Sequence, residues 1–231
     1  MRALLVGSLL WTVAACTMTP QPPPNSPSPT PAGPLRFVAL GDSYTIGTSV
    51  VAADAWPSQL VARLGGRLEL AANLGVNGYS SADLLAAELP ALDRLEPGFV
   101  TVQVGVNDVV RDVHQAEYRT NVERILDQLL TRLPPNRILA VATPDYTVTP
   151  MGAAFGNPGQ QRTAITRFND VLRRAAEERG VAFVASIFEI SQRAAADPSL
   201  VAPDGLHPSA AQYALWVDVI LPEVEALLAS R

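Results

Sequence analysis

LRFVALGDSY, residues 35–44, decides the architecture. Arg36–Leu40 is a short, almost unbroken apolar run, as expected of a strand covered on both faces. It ends at Gly41, so a tight turn at the end of the strand presents Asp42, Ser43 and Tyr44. Four more runs of this kind follow, at Arg67–Asn73, Phe99–Val104, Arg137–Thr143 and Val181–Ala185. The segments between them have helical spacing. Trp56–Leu64 and Ser81–Leu89 come first, the second with Ser80 and Asp83 spaced as a capping box. Glu117–Leu133 repeats apolar residues at Val122, Ile125, Leu126, Leu129, Leu130 and Leu133. Gln160–Arg179 ends at Gly180, and a last helical region spans Pro208–Ala229. Pro208 suits the first turn of that region, and Pro222 is expected to kink or divide it. Strands that alternate with helices predict one α/β domain, a three-layer sandwich with a five-stranded parallel sheet.

Ligands of such sheets bind outside the carboxyl ends of the strands, so the residues that follow each strand are the candidate site. Gly41-Asp42-Ser43-Tyr44 follows the first strand and Asn73 to Gly78 the second. Gly105-Val106-Asn107-Asp108 follows the third and Pro144-Asp145-Tyr146 the fourth. Asp204-Gly205-Leu206-His207-Pro208 lies beyond the fifth. A serine, a histidine three residues after an aspartate, glycine-rich backbone and an asparagine are the components of acyl transfer. A serine hydroxyl is a weak nucleophile until a neighbouring base takes its proton. Asp204 is spaced to reach Nδ1 of His207 through a short turn, which would fix the tautomer and stabilise the imidazolium. A glycine N–H at Gly78 and the Asn107 amide can meet the charge that develops on a tetrahedral intermediate.

Each residue also has a plainer reading. Ser43 can be a helix N-cap, Asp204 can cap its own turn, and the glycines and Asn107 can serve turns and caps. The second histidine, His114, follows Asp112 in a polar stretch and reads as a solvated loop residue. In Pro144–Gly159, Tyr146, Met151 and Phe155 either line a pocket or belong to a loop with no substrate role.

Together the blocks Gly41-Asp42-Ser43, Asn73 to Gly78, Gly105-x-Asn107-Asp108 and Asp204-x-x-His207-Pro208 resemble, in order and over essentially all of residues 35–231, the four blocks of the SGNH hydrolases, also called GDSL esterases and lipases. The resemblance implies a flavodoxin-like sheet of order 2-1-3-4-5. It implies Ser43 as nucleophile, His207 as general base and later acid, and Asp204 orienting it. It implies an oxyanion hole from the backbone N–H groups of Ser43 and Gly78 and the Asn107 amide, with no metal or cofactor. Ala55-Trp56-Pro57 resembles the segment after the first block in the lysophospholipase and thioesterase branch. Tyr44 departs from the leucine of the family's name motif, which weakens assignment to any one branch. The expected activity is hydrolysis of carboxylic esters or thioesters, on a small-molecule, lipid or glycan substrate. The alternative is a carbohydrate O-acetyl esterase or acyltransferase at the cell envelope. A third reading, a ligand-binding surface lipoprotein without catalysis, is disfavoured by the complete set of residues.

Composition limits the rest. The 231 residues carry a net charge of −5, 17 basic residues that are all arginine, one cysteine and two histidines. One cysteine excludes an internal disulfide framework, and an acidic chain without basic runs is a poor nucleic-acid binder. A monomer is expected. Residues 1–15 have the layout of a signal peptide: Arg2, an apolar run too short to span a bilayer, and small residues at the end. Val13-Ala14-Ala15-Cys16 resembles the lipobox of bacterial lipoproteins, in which the cysteine is lipidated and becomes the new N-terminus. Residues 17–34 contain eight prolines and cannot bury a core, so residues 16–34 read as a lipidated cysteine on an extended tether. The expected location is extracytoplasmic and membrane-anchored, facing outward because Thr17 offers no acidic retention signal. A plain signal peptide and a secreted or periplasmic protein are the alternative. A Cys16→Ser variant of the full chain should leave the membrane fraction for the soluble one, and unchanged retention would exclude lipidation.

Overall fold

Hydrophobic burial selects the strands. In a computed structural model that describes residues 33–230, the five apolar runs form β1 (Leu35–Gly41), β2 (Leu68–Asn73), β3 (Phe99–Gln103), β4 (Ile138–Val141) and β5 (Ala182–Val184). All pairings are parallel and the sheet order is β2-β1-β3-β4-β5. Every residue of β3, the central strand, is buried. The chain moves from β1 to β2 on one side and then crosses back to β3, so the strand order reverses between β1 and β3. Gly41 pairs with Gln103 at the carboxyl ends of these two strands. Such a reversal opens a crevice for ligands.

Helices flank the sheet. They are α1 (Ser43–Ile46), α2 (Trp56–Arg63), α3 (Ser81–Asp83), α4 (Leu89–Leu95), α5 (Val106–Val110), α6 (Gln115–Leu130), α7 (Pro158–Glu177), α8 (Ile187–Gln192) and α9 (Ala210–Ala229). α9 packs on α2 and α8, while α6 packs on α4 and α7. The buried residues of α6 are Tyr118, Asn121, Val122, Ile125, Leu126 and Leu129, one stripe at helical spacing. Tyr118 stacks on Phe168 of α7 at 4.3 Å, and Tyr213 meets Trp216 edge-on at 5.1 Å within α9. No helix among the described residues is long and apolar enough to cross a membrane.

The structure corrects two local expectations and part of a third. Ser81–Leu89 is not one helix: a π-helical turn over Leu84–Glu88 joins α3 to α4, which continues to Leu95. Pro208 does not enter a helix. It forms an isolated bridge with Val201 that closes the Asp204–His207 turn, and α9 starts after its N-cap, Ser209. Pro222 neither divides nor ends α9. It and Asp218, whose carbonyl loses its N–H partner, are both exposed. Residues 1–32, which carry the expected signal segment, Cys16 and most of the tether, lie outside the described residues.

Candidate active site

The site begins where β1 ends. The Asp42 carboxylate accepts from the Tyr44 N–H at 2.9 Å and so caps α1, leaving Ser43 as the first helical residue. The Ser43 N–H therefore belongs to the unpaired donors that every helix start leaves. Packing here is tight enough to reach the backbone. A β-carbon on Gly75 would stand 2.7 Å from both the Asp42 carbonyl and the Ile46 nitrogen. One on Gly41, with φ +155°, would stand 2.3 Å from the Gln103 carbonyl. Asn73 adds a hydrogen bond from Nδ2 to the Thr45 carbonyl at 2.7 Å. The turn that carries Ser43 is thus wedged between the ends of β2 and β3.

Ser43, Asn107 and His207 line one cavity with Tyr44, Val106, Val110, Tyr146, Phe155 and Leu206. Its volume is about 40 Å³, and it opens to solvent. Among the described residues the Ser43 hydroxyl has no hydrogen-bond partner, so it is free toward the cavity. His207 Nδ1 lies 2.6 Å from Asp204 Oδ2, and the Tyr44 ring packs 5.1 Å from the imidazole. With Nδ1 held by a carboxylate, Nε2 is the nitrogen left to accept a proton. Asp204 Oδ1 accepts from the backbone N–H groups of Leu206 and His207. Burial raises the cost of its charge, but hydrogen bonds from Ser49, His207 and those amides outweigh this and hold its carboxyl far below the ordinary carboxylate range.

The expected oxyanion donors divide. Asn107 Nδ2 donates one hydrogen to the Tyr79 carbonyl at 2.9 Å, which fixes the amide plane and leaves the other hydrogen at the cavity side. Gly78 does not line the cavity itself. Its φ of +81° is held by Arg111, whose Nη2 reaches the Gly78 carbonyl at 2.5 Å while Nη1 pairs with Asp83. Asp108, buried beside Asn107, accepts from the Ser81 N–H at 2.8 Å and from its hydroxyl. In this way α5 is tied to the loop that contains Gly78. Asp108 was visible as the last residue of its sequence block; Arg111 and Ser81 had no signal that distinguished them from surface residues. His114 is exposed and N-caps α6 through Nδ1, away from the cavity. Of the three apolar residues in this segment, Tyr146 and Phe155 line the cavity and Met151 does not. Met151 instead donates its N–H to the Gly205 carbonyl at 3.0 Å, bracing the Asp204–His207 turn. Among the described residues no group of three or more His, Cys, Asp or Glu side chains could hold a metal ion.

Sequence reasoning also missed a buried carboxyl under the Ser43 turn. Glu88, at the end of the π-helical turn, accepts the Gly41 N–H at 2.9 Å. Its other oxygen, and Asp42 Oδ2, have no protein partner. Burial pushes Glu88 from 4.5 up to about 9; the Gly41 N–H opposes this and the Asp42 charge adds to it. Burial likewise pushes Asp42 from 3.8 up to about 7, against the Tyr44 N–H.

Comparison with known proteins bears on the family and the fold. The model of the GDSL-like lipase/acylhydrolase family matches residues 39–215. No curated protein matches the sequence. Among solved structures, the chain resembles LAE5, an alpha/beta hydrolase enzyme from the metagenome of Lake Arreo, Spain, with 22% identity over 85% of this chain and 97% of that one and a TM-score of 0.66. It also resembles a variant of Axe2, an acetyl xylan esterase from Geobacillus stearothermophilus, at 20% identity over 83% of this chain and 95% of that one, with a TM-score of 0.66. For TesA the values are 20%, 83%, 99% and 0.64. At these identities the likeness is one of fold.

The buried acid has a measurable consequence. A carboxyl whose folded pKa is raised keeps its proton in the folded state longer than in the unfolded one, so stability falls as pH rises through that interval. For Glu88 the interval runs from 4.5 to about 9. Glu88→Gln keeps an acceptor for the Gly41 N–H and cannot ionise. Its melting temperature should decline less than that of the wild type between these pH values. Parallel declines would show that Glu88 does not titrate in this range.

Proposed function

The chain belongs to the GDSL-like lipase/acylhydrolase family and hydrolyses ester bonds, and from this premise we propose that it is a serine esterase acting through Ser43, His207 and Asp204. The observation that carries the reading is the shared cavity: Ser43 and His207 line it together, and the imidazole nitrogen facing away from it is held by Asp204. In this reading Ser43 Oγ attacks the ester carbonyl while His207 Nε2 takes the hydroxyl proton. Asp204 stabilises the imidazolium. The carbonyl oxygen becomes an oxyanion that accepts from the Ser43 N–H and the Asn107 amide, the two expected donors whose residues line the cavity. Collapse breaks the bond to the leaving alcohol or thiol, which takes the proton from His207. Water then enters, gives a proton to His207 and attacks the acyl-enzyme. Release of the acid returns the proton to Ser43.

Cavity size speaks to the substrate. The cavity, about 40 Å³, is far smaller than the roughly 300–1,000 Å³ of sites for drug-sized ligands. Its walls are mainly apolar, from Val106, Val110, Tyr146, Phe155 and Leu206. Such a space suits a short acyl group better than a long chain. This supports the carbohydrate O-acetyl esterase reading over the lysophospholipase and thioesterase one, and the fold shared with an acetyl xylan esterase is compatible with it. We place the enzyme outside the cytoplasm on the strength of its N-terminal sequence, with Cys16 lipidated and residues 17–34 as the tether.

A p-nitrophenyl ester series tests both parts. Turnover should be highest for acetate to butyrate and low for octanoate and palmitate. Ser43→Ala should lower kcat by at least about a thousandfold, the order seen when a member of such a unit is removed. Equal turnover by Ser43→Ala and wild type would remove Ser43 as nucleophile, and a maximum at palmitate would remove the short-acyl reading.

A further inference from the structure

Asp204 has four hydrogen-bond donors among the described residues, and three come from its own turn: the Leu206 N–H, the His207 N–H and His207 Nδ1. These fix the carboxylate against the imidazole. They do nothing to fix the pair against Ser43, which sits on a different element. The fourth donor does. Ser49 Oγ lies 2.6 Å from Asp204 Oδ2, the same oxygen that meets the histidine ring. Among the described residues it is the only side-chain hydrogen bond between residues 42–50 and residues 204–207.

Ser49 reaches Asp204 from a costly backbone. Its φ is +69°, one of three positive values among the described non-glycine residues. A non-glycine residue there is strained and persists only where the surroundings impose it. Local hydrogen bonds impose it here. The Ser43 carbonyl accepts from both the Gly47 and Thr48 N–H groups, at 3.2 and 3.1 Å, and the Val50 N–H reaches the Gly47 carbonyl at 3.2 Å. Thr48 is bonded to Asn77 through their side chains. The segment that leaves Ser43 is therefore folded back on Ser43 and pinned to the loop after β2, which points the Ser49 hydroxyl at Asp204.

We propose that Ser49 is a positioning residue for ester hydrolysis: by sharing Oδ2 of Asp204 with His207, it locks the Asp204–His207 pair to the Ser43 segment and withdraws part of the carboxylate charge that the imidazole feels. The inference rests on Ser43 as nucleophile and His207 as base. A hydrogen bond donated to Asp204 weakens the attraction between its charge and the imidazolium. Removing the hydroxyl concentrates that charge, favours protonated His207 and moves the acid limb of kcat/KM to higher pH. Other titratable groups lie nearby: Tyr44 of α1 packs on the imidazole, the Asp204 charge reaches Tyr213 of α9, Tyr146 after β4 lines the same cavity, and Asp42 caps α1 beneath Ser43. The tyrosines are all pushed upward by burial, to about 12 for Tyr146 and further for the others. Asp42, pushed up to about 7, titrates in the working range. It does so in wild type and variants alike, so the difference between profiles isolates Ser49.

The test compares pH profiles of kcat/KM for p-nitrophenyl acetate in wild type, Ser49→Ala and Ser49→Gly, with Ser43→Ala as control. Glycine accepts the left-handed backbone without strain, so it decides the matter even if the alanine variant folds poorly. Both variants should move the acid limb up by roughly half a pH unit or more, the order expected for one lost hydrogen bond to a charged group. A loss on the alkaline plateau reports the lost lock, and the loss at the foot of the acid limb should exceed it by about threefold. Profiles that superimpose on wild type, or a loss equal at every pH, would overturn the role of Ser49 while leaving Ser43 in place. Undiminished turnover by Ser43→Ala would overturn the reading beneath it.

Discussion

The backbone contact at the end of β1 governs the site. The turn after β1 passes so close to the ends of β2 and β3 that neither Gly41 nor Gly75 has room for a β-carbon. Tight contact of this kind cannot deform gradually, so Ser43 is held in one place. The contact lies where the strand order reverses, the one position at which loops from both halves of the sheet face a common crevice. Asn107 enters that crevice from the end of β3, and the Asp204–His207 turn enters from beyond β5, braced by Met151.

Charge is distributed around this contact in two opposite ways. Beneath Ser43, Asp42 and Glu88 are buried with one oxygen each lacking a protein partner, and both hold their protons well above the usual carboxylate range. On the open side, Asp204 receives four hydrogen bonds and stays ionised. Similar carboxyls thus differ through their surroundings. The arrangement places fixed negative charge beside His207, where an imidazolium would form.

Much of this was legible in the sequence. The sheet, its five strands and the residues at their ends follow from apolar runs and from what interrupts them, because burial on both faces leaves a simple pattern. Ser43, Asn107, Asp204 and His207 stand out because each lies at a strand end or a tight turn. Ser49, Arg111 and Glu88 were not legible for a shared reason: their partners are 155, 33 and 47 residues away, and no local spacing encodes a distant hydrogen bond. The π-helical turn escaped for a related cause. Its sequence, LLAAE, is ordinary helix-forming sequence, and tertiary packing sets its wider winding. Pro222 does not divide α9; it lies on an exposed face, where water can take the place of the lost N–H.

The central claim is that Ser43 is an activated nucleophile and not a capping residue. Reaction of the intact protein with a fluorophosphonate probe, followed by peptide mass spectrometry, tests it directly, because an unactivated serine does not displace the fluoride. The account predicts one probe per chain, on Ser43, and loss of labelling in His207→Ala with His114→Ala unaffected. Absence of label, or label on another residue, would contradict it.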